Sequence, residues 1–380
     1  MSRKRVAILY RYVPQYRLEF YRRLYALCKN SDIDLDVIYG NPSKTEKTKG
    51  HAVSFEPGQF IKNKFYSVGH TELIWQPVLA EIRSADLVIA EQANKLLINY
   101  LLLARQFIGI QKFAFFGHGK DFQATKQDNV SEALKKRLVR LPHWWFAYTP
   151  GVARLVEAAG FPSDRITVFY NAIDTKALAN FRAEITGSEL SLLRERIGIT
   201  SENVCIYVGG MYPEKRIPFL LESCEHIRAL IPDFQMLFIG AGPDDHLVRH
   251  FCDSRRWAIY IGPLVGREKV KHFMISKLML MPGLVGLAVL DTFALGVPIV
   301  TTDVPFHSPE IDYLENGHNG VIVTPAEDLT LYASTVVDLL LNEAKRTELV
   351  AGCERSAPLY TIENMAKCFF DGMVRALSIK

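Results

Sequence analysis

The stretch that best indicates the fold is Met281-Pro-Gly-Leu-Val-Gly286-Leu-Ala-Val-Leu-Asp291-Thr-Phe-Ala-Leu-Gly296-Val-Pro298. An apolar strand ends at Met281, a glycine-bearing loop follows, and a helix is predicted to begin near Leu287. Gly296 and Pro298 end that helix and start the next strand. A strand, a loop, a helix and a second strand in this order form a βα unit of a parallel sheet.

The same alternation runs through both halves of the chain, which has 380 residues. In the first half it predicts the strands Val6–Tyr10, Ile33–Tyr39, Leu87–Glu91, Phe113–Phe116 and Trp144–Tyr148. Helices are predicted there at Leu18–Lys29, Leu96–Phe107, Glu132–Leu141 and Gly151–Ala159. In the second half the predicted strands are Val204–Val208, Phe234–Ile239, Ala258–Ile261, Leu278–Met281 and Pro298–Thr302. Their helices are predicted at Pro218–Leu230, Asp244–Cys252, Arg267–Phe273 and Leu287–Leu295.

A chain of this length exceeds one ordinary core, so the pattern predicts two α/β domains, each a doubly wound parallel sheet. The polar stretch Thr175–Glu202 is the expected linker. Apolar residues at helical spacing from Ile362 to Leu377 predict a C-terminal amphipathic helix.

Composition narrows the classes of function. Lysine and arginine number 45 against 41 aspartates and glutamates, a net charge of +4, which falls short of a nucleic-acid footprint. It suits an anionic small molecule or a lipid surface. The six scattered cysteines predict reduced, mostly buried thiols in a cytoplasmic protein. Since no long uncharged stretch occurs, we expect a soluble protein, or one on the inner face of a membrane.

Glycines and cations follow the first strand of the second half, in Gly209-Gly210-Met-Tyr-Pro-Glu-Lys215-Arg216. The glycines allow the backbone to approach a ligand closely, and the two cations neutralise phosphate. A tight turn with a solvated basic pair explains the same residues equally well. The turn with Gly240 and Gly242 after the next strand is weaker evidence of the same kind.

The predicted helix start at Gly286, Leu287 and Ala288 is a second anion site, because the first amides of a helix have no partner within it. A diphosphate suits these amides. Asp291 follows one turn into the helix, at a spacing that lets its carboxylate accept hydrogen bonds from ribose hydroxyls. A nucleoside diphosphate is therefore the predicted ligand of the second half.

Four elements in a fixed order resemble the family 4 retaining glycosyltransferases of the GT-B fold, the glycosyl transferases group 1. They are Gly209…Glu214-Lys215, Gly240-x-Gly242-Pro243, Gly286-Leu…Asp291…Gly296-x-Pro298 and Pro309-Glu310…Asn316-Gly-x-Asn-Gly320. The resemblance implies two Rossmann-like domains, residues 1–175 and 176–358, which face each other across a cleft. It also implies that residues 359–380 form a helix that crosses back to the first domain.

By resemblance the donor is a nucleotide sugar of the UDP or GDP type, bound without metal, with Lys215 on its phosphates and Asp291 on its ribose. The sequence departs from the family at two places. Gly283 stands where the first of two family glutamates would hold the sugar, and we expect backbone amides of Pro282–Gly286 to take over. Gly210 replaces the family's arginine, for which Arg216 is the expected substitute.

The first half is the expected acceptor domain. His118 follows the strand Phe113–Phe116, where the family commonly places a histidine near the donor sugar, so it is a predicted catalytic residue together with Lys215. Glu91 and Asn94 follow another strand, although N-capping of a helix by Asn94 explains it equally well. Arg11 and Tyr12 in the first loop are expected acceptor contacts, with plain packing as the alternative.

Two further sequence patterns, one acidic and one basic, each have two interpretations. Asp32-x-Asp34-x-Asp36 has the spacing of a metal site, but its alternation predicts a strand with acids outward, so no metal is expected. The basic residues Lys135, Lys136, Arg137 and Arg140, with Trp144 and Trp145 after them, indicate a membrane contact; a solvated helix before a buried strand is the alternative.

The expected function is transfer of a hexosyl unit from a nucleoside-diphosphate sugar to a glycan or lipid-linked acceptor, with retained configuration, in surface polysaccharide or glycolipid synthesis. Two other readings stay open. One is a nucleotide-sugar epimerase of the same fold, and the other is a non-catalytic nucleotide-sugar-binding protein.

Overall fold

The computed structural model describes residues 3–43, 53–69, 71–118 and 138–379. The chain forms two compact units, Met1–Ile173 together with Ile362–Lys380, and Asp174–Thr361. Each unit is a parallel sheet flanked by helices, which confirms the predicted α/β class. Among the described residues, no helix is both long and apolar enough to cross a membrane.

The strands of the first unit are β1 (Lys4–Tyr10), β2 (Ile33–Tyr39), β3 (Gln59–Phe60), β4 (Lys64–Val68), β5 (Thr71–Trp75), β6 (Leu87–Glu91), β7 (Lys112–Gly117), β8 (Trp144–Ala147) and β9 (Ile166–Val168). Its described helices are Leu18–Lys29, Leu97–Phe107, Pro150–Ala158 and Ile362–Ser378, with short 3-10 turns at Gln15–Arg17 and Ser163–Arg165. Within the described ranges, seven strands form one sheet in the order β3-β2-β1-β6-β7-β8-β9. β4 and β5 form a separate antiparallel hairpin.

The second unit is described at every residue. Its strands are β10 (Val204–Val208), β11 (Gln235–Ile239), β12 (Ala258–Gly262), β13 (Leu278–Leu280), β14 (Ile299–Thr302) and β15 (Gly320–Val323), in the sheet order β12-β11-β10-β13-β14-β15. Its helices are Thr175–Glu184, Gly187–Ile197, Ile217–Leu230, Asp245–Asp253, Gly266–Met274, Ala288–Leu295, Leu329–Leu341 and Glu343–Ser356. The 3-10 turns are Pro213–Lys215, Pro309–Tyr313 and Ala357–Leu359.

Both sheets run outward from a central strand and then return to its other side. The strand order therefore reverses between β1 and β6 in the first unit, and between β10 and β13 in the second. Ligands of such sheets bind at the carboxyl ends of the strands that flank this reversal. The loops after β1, β6, β10 and β13 are the places to examine for a site.

The predicted membrane contact is wrong for Trp144 and Trp145. Trp144 and Trp145 are fully buried in β8, and their indole N–H groups donate to the Thr167 hydroxyl at 2.9 Å and the Val139 carbonyl at 2.8 Å. A tryptophan pair paired in this way is core, so it supplies no membrane contact. Lys135, Lys136 and Arg137 lie outside the described residues, and Arg140 is exposed and donates to the Ala159 carbonyl.

The expected linker Thr175–Glu202 is also wrong, because it is largely helical and belongs to the second unit. Asp174 caps the helix Thr175–Glu184 by accepting from the Ala177 amide at 3.0 Å. Thr186 and Glu189 form a capping box at the start of Gly187–Ile197. That box is visible in the sequence as Thr-x-x-Glu, and it was the signal for a helix here.

The outward acids of β2 confirm the strand prediction for Asp32–Asp36. Leu35 is buried, whereas Asp34 and Asp36 pair with Arg3 and Arg5 at 2.7 and 2.5 Å. The C-terminal helix Ile362–Ser378 packs in the first unit, with the Phe369 ring stacked 4.3 Å from that of Phe146.

Candidate functional site

The loops after β10 and β13 meet at the strand-order reversal of the second unit. The loop after β10 ends in the 3-10 turn Pro213–Lys215, and the loop after β13 is Pro282–Gly286. The Leu284 amide donates to the Glu214 carbonyl at 2.8 Å, and the Lys215 ammonium donates to the Leu284 carbonyl. The fold thus brings together two of the predicted donor segments.

The loop Pro282–Gly286 is fastened along its length by hydrogen bonds. The Thr302 hydroxyl donates to the Pro282 carbonyl at 2.6 Å. The Val285 amide donates to Nδ1 of His307 at 3.0 Å, and the Val285 carbonyl accepts from the Ser308 amide at 3.0 Å. A loop with so many internal partners is rigid before any ligand arrives, which is the condition for a preorganised site.

Lys215 is the buried cation of this site. Its side chain is 5% exposed, and its ammonium lies 3.6 Å from the Met281 sulfur and 5.5 Å from the centroid of the Tyr212 ring. Burial lowers the pKa of Lys215 to about 8, although the nearby Glu310 and Glu214 carboxylates raise it. An ammonium held in this way is poised to gain from an anion, because a diphosphate would offset the cost of burying its charge.

Gly283 shows why the family's first glutamate is missing. A Cβ atom at this position would lie 2.3 Å from the Glu214 carbonyl oxygen and 2.4 Å from the Lys215 carbonyl carbon. Both are main-chain atoms of the neighbouring turn, so no side chain fits. Any contact with a sugar here has to come from the backbone, as the sequence predicted for the Pro282–Gly286 loop, and that contact stays a prediction.

The backbone amides of Gly286, Leu287 and Ala288 are the next feature of the site. Among the residues that the structure describes, no acceptor is found for the N–H groups of Gly286, Leu287 and Ala288. They lead into the helix Ala288–Leu295, whose first residues have no side-chain cap. Three unpaired amides at a helix start form an anion site, and its positive end adds to the attraction. They lie in the loop whose Leu284 carbonyl contacts Lys215.

The remaining donor-site glycines serve packing between the loops. A Cβ atom on Gly240 would lie 1.8 Å from the Gly209 carbonyl oxygen, and one on Gly242 would lie 2.1 Å from that of Met211. At Gly210 a Cβ atom would lie 2.9 Å from the Tyr212 ring, so the family's arginine would displace that ring. Gly240 and Gly242 thus allow a close approach of backbone to backbone, and a close approach of the backbone to a ligand stays a prediction.

Arg216 has a structural environment. Its guanidinium donates to the Thr302 hydroxyl at 3.2 Å and the Ala326 carbonyl at 2.9 Å, pairs with Glu327 at 2.7 Å, and lies 4.2 Å from the centroid of the Phe219 ring. The residue itself has φ 55°, a left-handed conformation that costs a non-glycine residue free energy. Through Thr302 it supports the Pro282 carbonyl. Direct contact of Arg216 with phosphate stays a prediction.

Asp291 has a partner that the sequence did not indicate. It is 4% exposed, and both of its carboxylate oxygens accept from the Lys269 ammonium at 2.8 Å. Lys269 lies in the helix Gly266–Met274, and pairing between two helices leaves no local sequence signal. The contact of Asp291 with ribose stays a prediction. The carboxylate that would make this contact is already paired with the Lys269 ammonium.

In the first unit the predicted residues meet as side chains. Arg11 pairs with Glu91 at 3.2 Å across the strand-order reversal, and its guanidinium lies 5.6 Å from the centroid of the Tyr12 ring. The half-buried His118 ring makes an edge contact with the ring of Tyr148, centroid to centroid 4.6 Å. These residues line the carboxyl ends of β1, β6, β7 and β8.

Asn94 is not a helix cap. The helix begins at Leu97, its cap residue is Leu96, and no side chain caps it. The Asn94 carbonyl instead accepts from the Tyr100 hydroxyl at 3.2 Å. Capping by Asn94 therefore does not explain the start of this helix, and a substrate contact of Asn94 stays a prediction.

A metal site would need a cluster of donor side chains among the described residues. No group of three or more His, Cys, Asp or Glu side chains there is arranged to hold a metal ion. All six cysteines are free, and four of them are buried. Metal independence and a cytoplasmic location remain predictions.

A known family matches the part of the second unit that contains Lys215, Gly283 and Asp291. Residues 202–342 match the family described as Glycosyl transferases group 1. Alpha-monoglucosyldiacylglycerol synthase of Acholeplasma laidlawii is 22% identical over 202 residues, which cover 51% of this chain and 48% of that protein. Alpha-D-kanosaminyltransferase of Streptomyces kanamyceticus is 24% identical over 208 residues, which cover 53% of this chain and 51% of that protein. The chain thus spans about half the length of these curated relatives.

The likeness to solved structures extends over the whole chain. Anabaena Alr3699/HepE in complex with UDP has a TM-score of 0.71 at 14% identity, covering 98% of this chain and 99% of that one. Its complex with UDP-glucose gives a TM-score of 0.68, again at 14% identity, covering 97% of this chain and 99% of that one. At this identity the likeness shows the fold, which is GT-B.

The chain therefore carries a domain of the glycosyl transferases group 1 family over residues 202–342, as its resemblance to that family predicted. The match spans the loops of Lys215, Gly283 and Asp291. The first unit lies outside the matched residues, so the prediction of its site residues depends on the fold and on the contacts that their side chains make.

Proposed function

We propose that this protein transfers a hexosyl unit from a nucleoside-diphosphate sugar to an acceptor hydroxyl, with the anomeric configuration retained. One observation carries the proposal. A buried ammonium, Lys215, contacts the loop that leads into three unpaired amides at a helix start, at the strand-order reversal of the second sheet. A diphosphate satisfies both features at once.

The chemistry that these residues supply is stabilisation of the departing diphosphate. As the bond between the sugar and the diphosphate breaks, negative charge grows on the phosphate oxygens. Lys215 and the amides of Gly286, Leu287 and Ala288 would bind that charge, and the hydrogen-bonded Pro282–Gly286 loop would keep them in place. Gly283 leaves no side chain to act as a nucleophile here, which agrees with direct attack by the acceptor on the face that the diphosphate leaves.

The first unit would bind the acceptor, with Arg11, Tyr12, Glu91, Asn94 and His118 along its strand ends. A glycan or a lipid-linked sugar suits this role, because one relative is named for synthesis of a diacylglycerol glycolipid and another for transfer of kanosamine. Peripheral membrane contact would depend on the basic residues Lys135, Lys136, Arg137 and Arg140, because Trp144 and Trp145 are buried.

The donor is tested first with UDP and GDP, in the native protein, by the shift of its thermal unfolding midpoint. A ligand that binds only the folded state raises the midpoint, by an amount that grows with its concentration relative to Kd. We expect a rise with UDP, because the solved complexes of HepE hold UDP and UDP-glucose. A protein that responds to neither nucleotide would contradict the proposal.

Turnover then separates the proposed reaction from its alternatives. UDP release from UDP-glucose is followed with and without candidate acceptors, and the sugar is analysed for isomers. Release that depends on an acceptor supports transfer. Isomerisation without an acceptor indicates an epimerase, and binding without any turnover indicates a non-catalytic nucleotide-sugar binder.

A further inference from the structure

The proposed mechanism gives no role to His307, which connects the end of β14 to the Pro282–Gly286 loop. Its Nε2 donates to the Thr302 carbonyl at the end of β14, at 2.7 Å, and its Nδ1 accepts from the Val285 amide at 3.0 Å. The side chain is 8% exposed. The imidazole therefore bridges the sheet and the Pro282–Gly286 loop from the inside.

The two partners dictate the state of the ring. A carbonyl only accepts and a backbone amide only donates, so the proton must be on Nε2 and Nδ1 must be bare. A second proton on Nδ1 would point at the Val285 N–H and remove that hydrogen bond. Burial, more than any other cause, lowers the pKa of His307, and the nearby Lys215 lowers it further. Its hydrogen bond to Thr302 and the Asp303 carboxylate raise the pKa.

Val285 lies between the two components of the proposed diphosphate site. The residue before it, Leu284, offers its carbonyl to Lys215, and the residue after it, Gly286, carries the first unpaired amide. The Val285 side chain is fully buried, and its carbonyl accepts from the Ser308 amide at 3.0 Å. A shift of Val285 therefore moves the ammonium's partner and the amides together.

We infer that neutral His307 is a positioning residue of the donor site, which holds Val285 so that Lys215 and the Gly286–Ala288 amides bind the same diphosphate, and that its protonation weakens donor binding. The inference rests on the proposed function for the identity of the ligand. His307 would touch no substrate and would act through the loop alone.

Other ionisable groups lie near and have to be separated from His307. Lys215, from the loop after β10, and Asp303, from the end of β14, influence its ring, and Glu310 in turn acts on Lys215. The pKa of Lys215 is lowered to about 8, so Lys215 gains charge as the pH falls, which strengthens diphosphate binding and is opposite in sign to the expected effect. Asp303 and Glu310 stay in place when His307 is replaced, so any fall in affinity that they cause would persist in a His307 variant. His272 is another buried histidine of this unit with a lowered pKa.

The test measures the affinity of the full-length protein for UDP-glucose from pH 7.5 to pH 5. UDP-glucose is chosen over UDP because a terminal phosphate takes up a proton near pH 6 and a sugar diphosphate has none to take up there. The variants are His307→Asn, whose amide oxygen replaces Nδ1 as acceptor without titrating, and His307→Phe, which makes neither bond. His272→Asn is the matched control.

We expect wild-type affinity to fall about threefold or more by pH 5, below the ordinary histidine value of about 6.5. His307→Asn should bind within about threefold of wild type at pH 7 and lose that dependence, whereas His307→Phe should bind about tenfold more weakly at pH 7. His272→Asn should keep the wild-type profile. A flat wild-type profile, or the same fall in His307→Asn, overturns the role of His307.

A readout without ligand keeps this outcome apart from the proposed function. Nitrogen chemical shifts of His307 should show the Nε2–H tautomer at pH 7 in the free protein. Exchange of the Val285 amide with solvent should become faster in His307→Phe than in wild type, which also reports whether that variant is folded. A wild-type protein that binds neither UDP-glucose nor a GDP-sugar at pH 7 overturns the proposed function and the donor-site role together. Binding that ignores His307 overturns only the latter.

Discussion

At the strand-order reversal, the second unit is closed by hydrogen bonds to main-chain carbonyls and the first unit by a pair of side chains. In the second unit the Leu284 amide bonds to Glu214, and the Lys215 ammonium bonds to a carbonyl. In the first unit the corresponding edge is spanned by the pair of Arg11 and Glu91. The same topology therefore has two different chemistries at its binding edge.

This difference explains why the binding edge of the second unit can be predicted from the sequence more readily than that of the first unit. Main-chain closure demands positions without a side chain, as at Gly283 and Gly240, and a glycine at fixed spacing is visible in a sequence. Side-chain closure can be made by many residue pairs that are distant along the chain. A binding edge built in that way leaves no pattern to recognise.

The largest expected effect comes from removing the one buried ammonium of the donor edge. Lys215→Met keeps the size of the side chain, and it should lower the rate of sugar transfer on the order of 10²–10³-fold, as loss of one preorganised charge does. Folding should not suffer, because burial already disfavours the charged form of Lys215. Steady-state kinetics with UDP-glucose measures the rate, and Lys345→Met, at an exposed lysine, is the control. Equal rates in both variants would contradict the assignment.

The next effect concerns the place where the donor edge does use a side-chain pair. Lys269→Met leaves the Asp291 carboxylate buried without its cation, and the free energy of unfolding should fall by about 2–3 kcal/mol. The double variant Lys269→Met/Asp291→Leu should recover at least half of that loss. Arg11→Met, at the more exposed pair of the first unit, should cost no more than about 1 kcal/mol. Urea denaturation measures all three, and an equal cost in both units would remove the contrast between them.

Main-chain closure itself is tested with a pair of glycines. Gly283→Ala forces a Cβ atom against the carbonyls of Glu214 and Lys215, and it should lower the free energy of unfolding by about 1–3 kcal/mol. Gly286→Ala is the matched control, because its Cβ atom would lie at an ordinary 3.5 Å from the Ser308 hydroxyl. Its effect should stay within about 0.5 kcal/mol. Thermal unfolding of both proteins gives the comparison, and a stable Gly283→Ala would refute the close approach.

A smaller effect is expected from pH. The pKa of Lys215 is lowered to about 8 in the folded protein, so the ammonium that is proposed to bind a diphosphate is present below that value and is lost as pH rises through it. Affinity for UDP at pH 9 should be about tenfold lower than at pH 7. Isothermal titration measures the change, and Lys215→Met should show no such slope. A slope that persists in that variant would belong to another group.

The smallest effect on nucleotide binding should come from the first unit. His118→Gln keeps a polar side chain beside Tyr148, and it should leave the Kd for UDP within about twofold of wild type, because all of the proposed diphosphate contacts are in the second unit. Transfer to an acceptor should nevertheless fall. A large loss of UDP affinity would show that assigning nucleotide binding to the second unit alone is wrong.

Most regular elements could be predicted because their signals are local. The bounds of Ile33–Tyr39, Leu18–Lys29, Leu87–Glu91 and Val204–Val208 agree with the structure to the residue. Apolar runs and turn residues decide such elements within a few positions. The hairpin of β4 and β5 was missed, since two strands outside the main sheet lack the apolar runs that mark buried ones.

The candidate site was predictable in the same measure. Lys215 and the helix start at Ala288 lie where the sequence put them, because a strand end, a glycine and a helix start are local features. Lys269 and His307 were missed. Each meets its partner, Asp291 or Val285, about 22 residues away along the chain, and a single lysine or histidine at such a distance carries no pattern.

By itself, then, the sequence determined the two alternating α/β halves, the places of Lys215 and of the helix start at Ala288, and the absence of a glutamate at Gly283. Only the tertiary structure decided why that glutamate is absent, where Trp144 and Trp145 belong, and which side chains hold the donor loop. The physical reason is that spacing along the chain records what one residue does for its neighbours in sequence. Close packing between loops, as between Gly283 and the turn of Lys215, exists only after the sheet has brought them together.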